Sequence, residues 1–159
     1  MSYLVWKFLH VGSVILFLGN ITTGMFWGAH ANRSRDFRLI ASTFDGINRS
    51  DRVFTMPGVI VIVVSGVVAA ITGGLPILGT GWILWGIVLF VVSGIVFGRV
   101  VAPLQRDIVQ IAGSGNPDEE NWRTYEALYA RWARWGLLAV LAPAAAVLIM
   151  VMKPVLPAF

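Results

Sequence analysis

The stretch VFTMPGVIVIVVSGVVAAITGGLPILGTGWILWGIVLFVVSGIVFG, residues 53–98, decides the fold because it contains no charged side chain. A helix needs about 20 apolar residues to cross a bilayer, so this stretch is long enough for two crossings. Gly73-Gly74-Leu75-Pro76 and Gly79-Thr80-Gly81 interrupt it near the middle, and such glycine and proline combinations mark turns. The stretch therefore predicts two membrane spans joined by a short turn.

The rest of the chain supplies two further apolar runs. No Asp, Glu, Lys or Arg occurs between Lys7 and Arg33 or between Arg134 and Lys153. The 159 residues are 57% hydrophobic and 13% charged, which is more apolar than a soluble domain of this size. Because backbone polar groups in lipid must be bonded within the chain, and because the runs lack β-barrel alternation, helices are expected. We predict an all-α membrane protein, one domain over residues 1–159, a four-helix bundle with spans at 3–27, 53–73, 81–102 and 132–152.

The connections between the predicted spans differ in charge. The first carries five arginines and the third carries three, whereas the second has no charged residue. Cytoplasmic connections are enriched in Lys and Arg, so we expect the first and third in the cytoplasm and both termini outside. We therefore expect a multi-pass membrane protein in contact with the lipid bilayer. The net charge of +4 does not indicate nucleic-acid binding, because the arginines flank the spans.

The first connection has a helical pattern of its own. Phe37, Ile40, Phe44 and Ile47 follow a 3-4-3 spacing, which predicts an amphipathic helix on the cytoplasmic side. Its apolar face has two explanations that the sequence leaves open. The helix lies on the membrane surface, or it packs against the cytoplasmic ends of the bundle.

Helical patterns also flank the third connection. Apolar spacing continues beyond Pro103, which predicts that the third helix extends out of the membrane. Asn116 and Pro117 are typical of a helix start, as N-cap and first helical residue. An aromatic stripe then follows at helical spacing, and such a stripe favours packing over a ligand site: Trp122, Tyr125, Tyr129, Trp132 and Gly136.

The candidate site lies on the first span. An ionisable residue within a span is rare and costly, so His10 is a functional-site hypothesis. At 100° per residue, Ser13, Asn20 and Gly24 fall on the same helix face as His10. From the residues alone, His10 could be a haem ligand, a hydrogen-bond partner or a proton carrier. His30 would lie about 30 Å further along, too far to share a ligand with His10.

Two classes of chemistry are not expected. The chain has no cysteine, which excludes disulfides and thiolate sites. No acidic residue lies inside a predicted span, so a carboxylate proton relay is not expected either.

Several short stretches resemble those of known membrane families: Lys7-Phe8-Leu9-His10-Val11, Gly19, His30-Ala31, Thr55-Met56-Pro57-Gly58, Gly81-Trp82 and Gly98-Arg99-Val100. They are similar to the HemJ-type protoporphyrinogen oxidases and the related CopD-like copper-resistance proteins, and also to a family of predicted bacterial integral-membrane proteins of unassigned function. That resemblance implies a location in a bacterial inner membrane, a b-type haem held by His10, and porphyrinogen oxidation. The chain lacks the His and Lys that HemJ proteins carry after the Gly-Trp of helix three.

Two functions follow as predictions. The first is a membrane protein that binds haem b through His10 and serves a redox role. The alternative is a non-enzymatic accessory subunit of a membrane complex, or a small transporter, without a cofactor. In that case His10 bonds across helices, and the protein is expected to form a homo-oligomer or to join a complex.

Overall fold

The computed structural model describes residues 2–115 and 118–159, which form four long helices. The first is α1 (Ser2–Ser34), and the last is α6 (Glu119–Met152). The second long helix contains α2 (Phe37–Ser50), a π-helical turn (Asp51–Thr55) and α3 (Met56–Thr72). The third contains α4 (Gly81–Val96), a second π-helical turn (Phe97–Val101) and α5 (Ala102–Gly113). All four are long and apolar enough to cross a membrane.

Prolines explain why both middle helices contain a π-helical turn. Pro57 and Pro103 each stand two residues after a turn, and proline has no backbone N–H and crowds the carbonyl four residues earlier. The preceding N–H groups, on Met56 and Ala102, instead bond to carbonyls five residues back. One extra residue is thereby inserted without breaking the helix. The predicted amphipathic helix is α2, called the amphipathic segment below, and it forms one continuous helix with the second span.

The amphipathic segment packs against the bundle. The four apolar residues predicted to share a face are all buried in α2. The ring centroid of Phe44 lies 4.8 Å from that of Trp132, and the centroid of Phe37 lies 4.4 Å from that of Trp122. Since α2 also packs along α5, its apolar face is covered by protein. Of the two explanations for this face, packing is therefore the one observed.

The start of α6 differs from the prediction. The helix begins at Glu119, and Asp118 is its N-cap, with its side chain accepting a 2.8 Å hydrogen bond from the backbone N–H of Asn121. A carboxylate at this position satisfies an N–H that has no partner within the helix. Asn116 and Pro117, predicted as the cap and first helical residue, lie outside the described residues.

The long helices associate as two pairs. α1 packs along α3, and α4 packs along α6, while no Cα atom of α3 lies within 8 Å of one of α4. The pairs are joined where α1 meets α6 and by the buried aromatic and aliphatic core around α2 and α5. The contact between α1 and α6 requires a glycine at position 28, because a Cβ there would lie 2.5 Å from Cη2 of Trp132. The result is a bundle that is tight at one end and has a gap between α3 and α4.

Candidate functional site

His10 makes a cross-helix contact from α1 to α3. Its Nδ1 lies 2.9 Å from the carbonyl oxygen of Ile62, and its ring covers Gly66. A carbonyl oxygen can only accept, so Nδ1 carries a proton and donates the hydrogen bond. His30 is exposed, with its ring edge-on to Trp27 at a centroid distance of 5.5 Å.

The other predicted residues do not gather around His10. Asn20 is ten residues further along α1, about 15 Å away, and its side chain bonds to the first π-helical turn. Gly24 faces α2, where a Cβ would lie 3.5 Å from the side chain of Ile47. Ser13 is half-buried between these two regions. The structure therefore divides the predicted face into a His10 contact and a separate contact made by Asn20.

Asn20 belongs to a buried polar cluster centred on Asp51. Thr55 Oγ1 donates to Asp51 Oδ1 at 2.8 Å and accepts from Asn20 Nδ2 at 2.9 Å. Asn20 Nδ2 also reaches Asp51 Oδ1 at 3.1 Å, and Gln105 Nε2 donates to Asp51 Oδ2 at 3.3 Å. Three of the four long helices thus meet at one carboxylate, and only 7% of Asp51 is exposed.

This carboxylate was not among the site residues predicted from the sequence. Asp51 precedes the predicted second span by two residues, so the expectation that no acidic residue lies inside a predicted span did not apply to it. The available signal was Asp51 followed by Thr55 one turn later, just before Pro57. Its partners Asn20 and Gln105 lie 31 and 54 residues away in the chain.

The carboxylate has donors but no counter-ion. Among the ion pairs of residues 2–115 and 118–159, none includes Asp51. Removing an unpaired carboxylate from water costs several kcal/mol, which three donors only partly offset. An ionised carboxylate offers about four acceptor positions, so one remains open here. The cluster can therefore accept a further donor or a cation.

An apolar cavity of about 170 Å³ lies beside this cluster, between the two helix pairs. Phe17 on α1, Val59 on α3 and Phe90 on α4 line it, and the rings of Phe17 and Phe90 are 5.6 Å apart. Asp51 and Trp132 also line it. The cavity thus combines apolar walls with a buried carboxylate.

The cavity opens between α3 and α4. Met56 on α3 and Gly94 and Gly98 on α4 line it and are themselves exposed. A Cβ at either glycine would meet no atom within 4 Å, so this side is not filled by protein. Buried side chains occupy the other end, where Trp132 Nε1 has no hydrogen-bond partner among the described residues.

The comparisons with known proteins agree with the membrane-spanning helices. Residues 4–154 match the model of one protein family, described as predicted integral membrane protein (DUF2269). The search of curated proteins and the search of solved structures each found no match. The match covers nearly the whole chain, and the four long apolar helices fit a multi-pass protein in a lipid bilayer. The chain therefore belongs to the DUF2269 family of predicted integral membrane proteins.

Proposed function

We propose that this protein binds a small amphiphilic molecule from the bilayer in the cavity between α3 and α4, as a small transporter or a ligand-binding subunit of a membrane complex. The observation that carries the proposal is an apolar cavity that opens between α3 and α4 and is lined by the buried carboxylate of Asp51. Binding sites are typically apolar with a few polar groups that orient the ligand.

The contact made by His10 supports the non-enzymatic alternative. Its Nδ1–H bonds to a carbonyl of the neighbouring helix, which accounts for an imidazole in a span without catalysis. Asp51 is held by three donors from different helices, an arrangement suited to fixing the position of a ligand group. The two polar features therefore serve helix association and ligand placement.

Photolabelling in lipid nanodiscs tests the proposal. The probe is a diazirine attached to an alkyl chain, and mass spectrometry locates the labelled residues. Phe17 is only 6% exposed, so its labelling requires the probe to enter the cavity. We expect Gly94→Leu, at the opening, to reduce labelling of Phe17, and the matched Gly19→Leu to leave it unchanged.

The labelling result is decisive in either direction. Gly19 and Gly94 are both exposed helical glycines with no atom within 4 Å of a Cβ, but only Gly94 lines the cavity. Absence of label at Phe17 in the wild type, or equal labelling in both variants, would refute ligand entry from the bilayer.

A second candidate function is haem-b binding at His10 with a redox role, as the similarity to HemJ-type and CopD-like proteins implies. The bond from Nδ1 to Ile62 favours it, because metal-ligating histidines usually donate their other N–H to such a group. We rank it second because His10 does not line the cavity described above. An absorption spectrum after expression with haem tests it: we expect a Soret band that His10→Ala abolishes and His30→Ala retains. Absence of the band in the wild type would exclude it.

We also propose the orientation and location that the arginine distribution predicts, with α2 and α5 in the cytoplasm of a bacterium and both termini outside. Because the chain has no cysteine, single cysteines can report topology. Ser42 on α2 and Ala158 near the C-terminus are both exposed. A membrane-impermeant maleimide should label Ala158→Cys but not Ser42→Cys in intact cells, and the reverse pattern would invert the orientation.

Native mass measurement would distinguish a homo-oligomer from a complex subunit.

A further inference from the structure

We infer that the ligand of the cavity is a lipophilic organic monocation, an ammonium group carrying about one ring or a short alkyl chain, with its charge at Asp51. This inference rests on the proposed function and adds the class of ligand to it.

Charge complementarity is the first argument. The Asp51 carboxylate is 7% exposed, and its three hydrogen bonds come from uncharged groups on Asn20, Thr55 and Gln105. No Lys, Arg or His nitrogen of the described residues forms an ion pair with it. Because charges attract more strongly in a low-dielectric interior, a ligand ammonium gains more here than a neutral donor does.

Aromatic side chains supply the second argument. Phe17, Phe90 and Trp132 line the same cavity as Asp51. The faces of aromatic rings attract cations, and this attraction increases when the cation is removed from water. Phe97 also lines the cavity, so a site with four aromatic side chains and one carboxylate favours an organic cation over an anion, which the carboxylate would repel.

The size of the cavity limits the ligand. Its volume of about 170 Å³ is similar to an engineered cavity of about 150 Å³ in another protein that binds benzene. One ring or an alkyl chain of similar volume fits, and any longer part can extend into lipid between α3 and α4. A large polycyclic cation does not fit this volume.

Equilibrium binding in nanodiscs of zwitterionic lipid tests the ligand class. The probe is radiolabelled 4-phenylbutylammonium, and its neutral comparison is 4-phenylbutanol, which partitions into lipid without a charge. We expect specific binding of the cation, weakened about tenfold or more in Asp51→Asn because one charge-assisted interaction is lost. Asp107→Asn is the matched control, since Asp107 is exposed on α5 and should bind like the wild type.

Three results separate the inference from the proposed function. Equal specific binding of the cation and the alcohol by the wild type would overturn the inference and leave the cavity proposal standing. Unchanged cation binding in a folded Asp51→Asn would also overturn it. If Asp51→Asn does not fold, the comparison of cation and alcohol binding by the wild type alone tests the inference. Absence of specific binding by both probes, together with no photolabel at Phe17, would overturn the proposed function itself.

Discussion

Replacement of Thr55 by valine removes the hydroxyl at the centre of the Asp51 cluster while keeping nearly the same shape. Two hydrogen bonds are lost: the 2.8 Å bond donated to the carboxylate of Asp51 and the 2.9 Å bond accepted from Asn20. Thr55 is only 2% exposed, so water cannot readily replace its hydroxyl. The folded state should therefore lose stability.

The size of the loss follows from the two bonds. A hydrogen bond to a charged group contributes about 1.5–3 kcal/mol and a neutral one about 1 kcal/mol. Interhelical hydrogen bonds measured within membranes average only about 0.6 kcal/mol, because the unfolded chain in lipid also finds partners. No Lys, Arg or His among the described residues pairs with Asp51 to compensate, so we expect Thr55→Val to lower the free energy of unfolding by about 2 kcal/mol.

Reversible unfolding in mixed micelles, followed by circular dichroism as the SDS fraction rises, measures this loss. Thr72→Val is the matched control, because the Thr72 hydroxyl is exposed and bonds only to carbonyls of its own helix. That variant should change stability by less than about 0.5 kcal/mol.

A double-mutant cycle then assigns the loss to the carboxylate. In an Asp51→Asn background, the cost of Thr55→Val should fall by about 1 kcal/mol, since residues in one network are not additive. Equal stabilities of Thr55→Val and Thr72→Val, or a cost that is unchanged by Asp51→Asn, would refute the proposed role of the cluster.

The remaining predictions concern the contacts that join the helices. Gly28→Ala should lower the free energy of unfolding by about 1–3 kcal/mol, because its Cβ would lie 2.5 Å from the buried ring of Trp132. Gly19→Ala is the control, because a Cβ there has open space, and it should raise the free energy of unfolding by up to about 1 kcal/mol. Equal effects of the two substitutions in the same SDS titration would contradict the close contact between Gly28 and Trp132. Tyr125→Phe should cost about 1 kcal/mol by removing the 2.8 Å bond to Asn32, and an unchanged midpoint would show that this bond does not stabilise the fold.

The sequence predicted the helical architecture well because charge and hydropathy act locally along a span. The charge-free stretch and its Gly/Pro interruption correctly indicated two helices. The first of them, α3, ends at Thr72, and the second, α4, begins at Gly81. The π-helical turns were not predicted, because Pro57 and Pro103 indicate a disturbed helix without specifying how the backbone adapts. The partner of α2 was also undecided, since periodicity identifies a face but not what covers it.

The candidate site was predicted only in part. Asn20 was predicted to share a helix face with His10, whereas its side chain bonds to Asp51 and Thr55 in the first π-helical turn. Its partner Asp51 was not predicted, because it lies two residues before the predicted span. Burial of that carboxylate depends on Gln105, which comes from a different helix and has no local pattern that links it to Asp51. Such long-range packing cannot be read from the periodicity of one sequence.

A structure determined in lipid nanodiscs, with and without 4-phenylbutylammonium, tests the central claim most directly. The account predicts that α3 and α4 remain apart in lipid and that the added cation lies between them, with its nitrogen within hydrogen-bonding distance of Asp51. Direct packing of α3 against α4 with the cavity closed, or a cation bound away from Asp51, would contradict it.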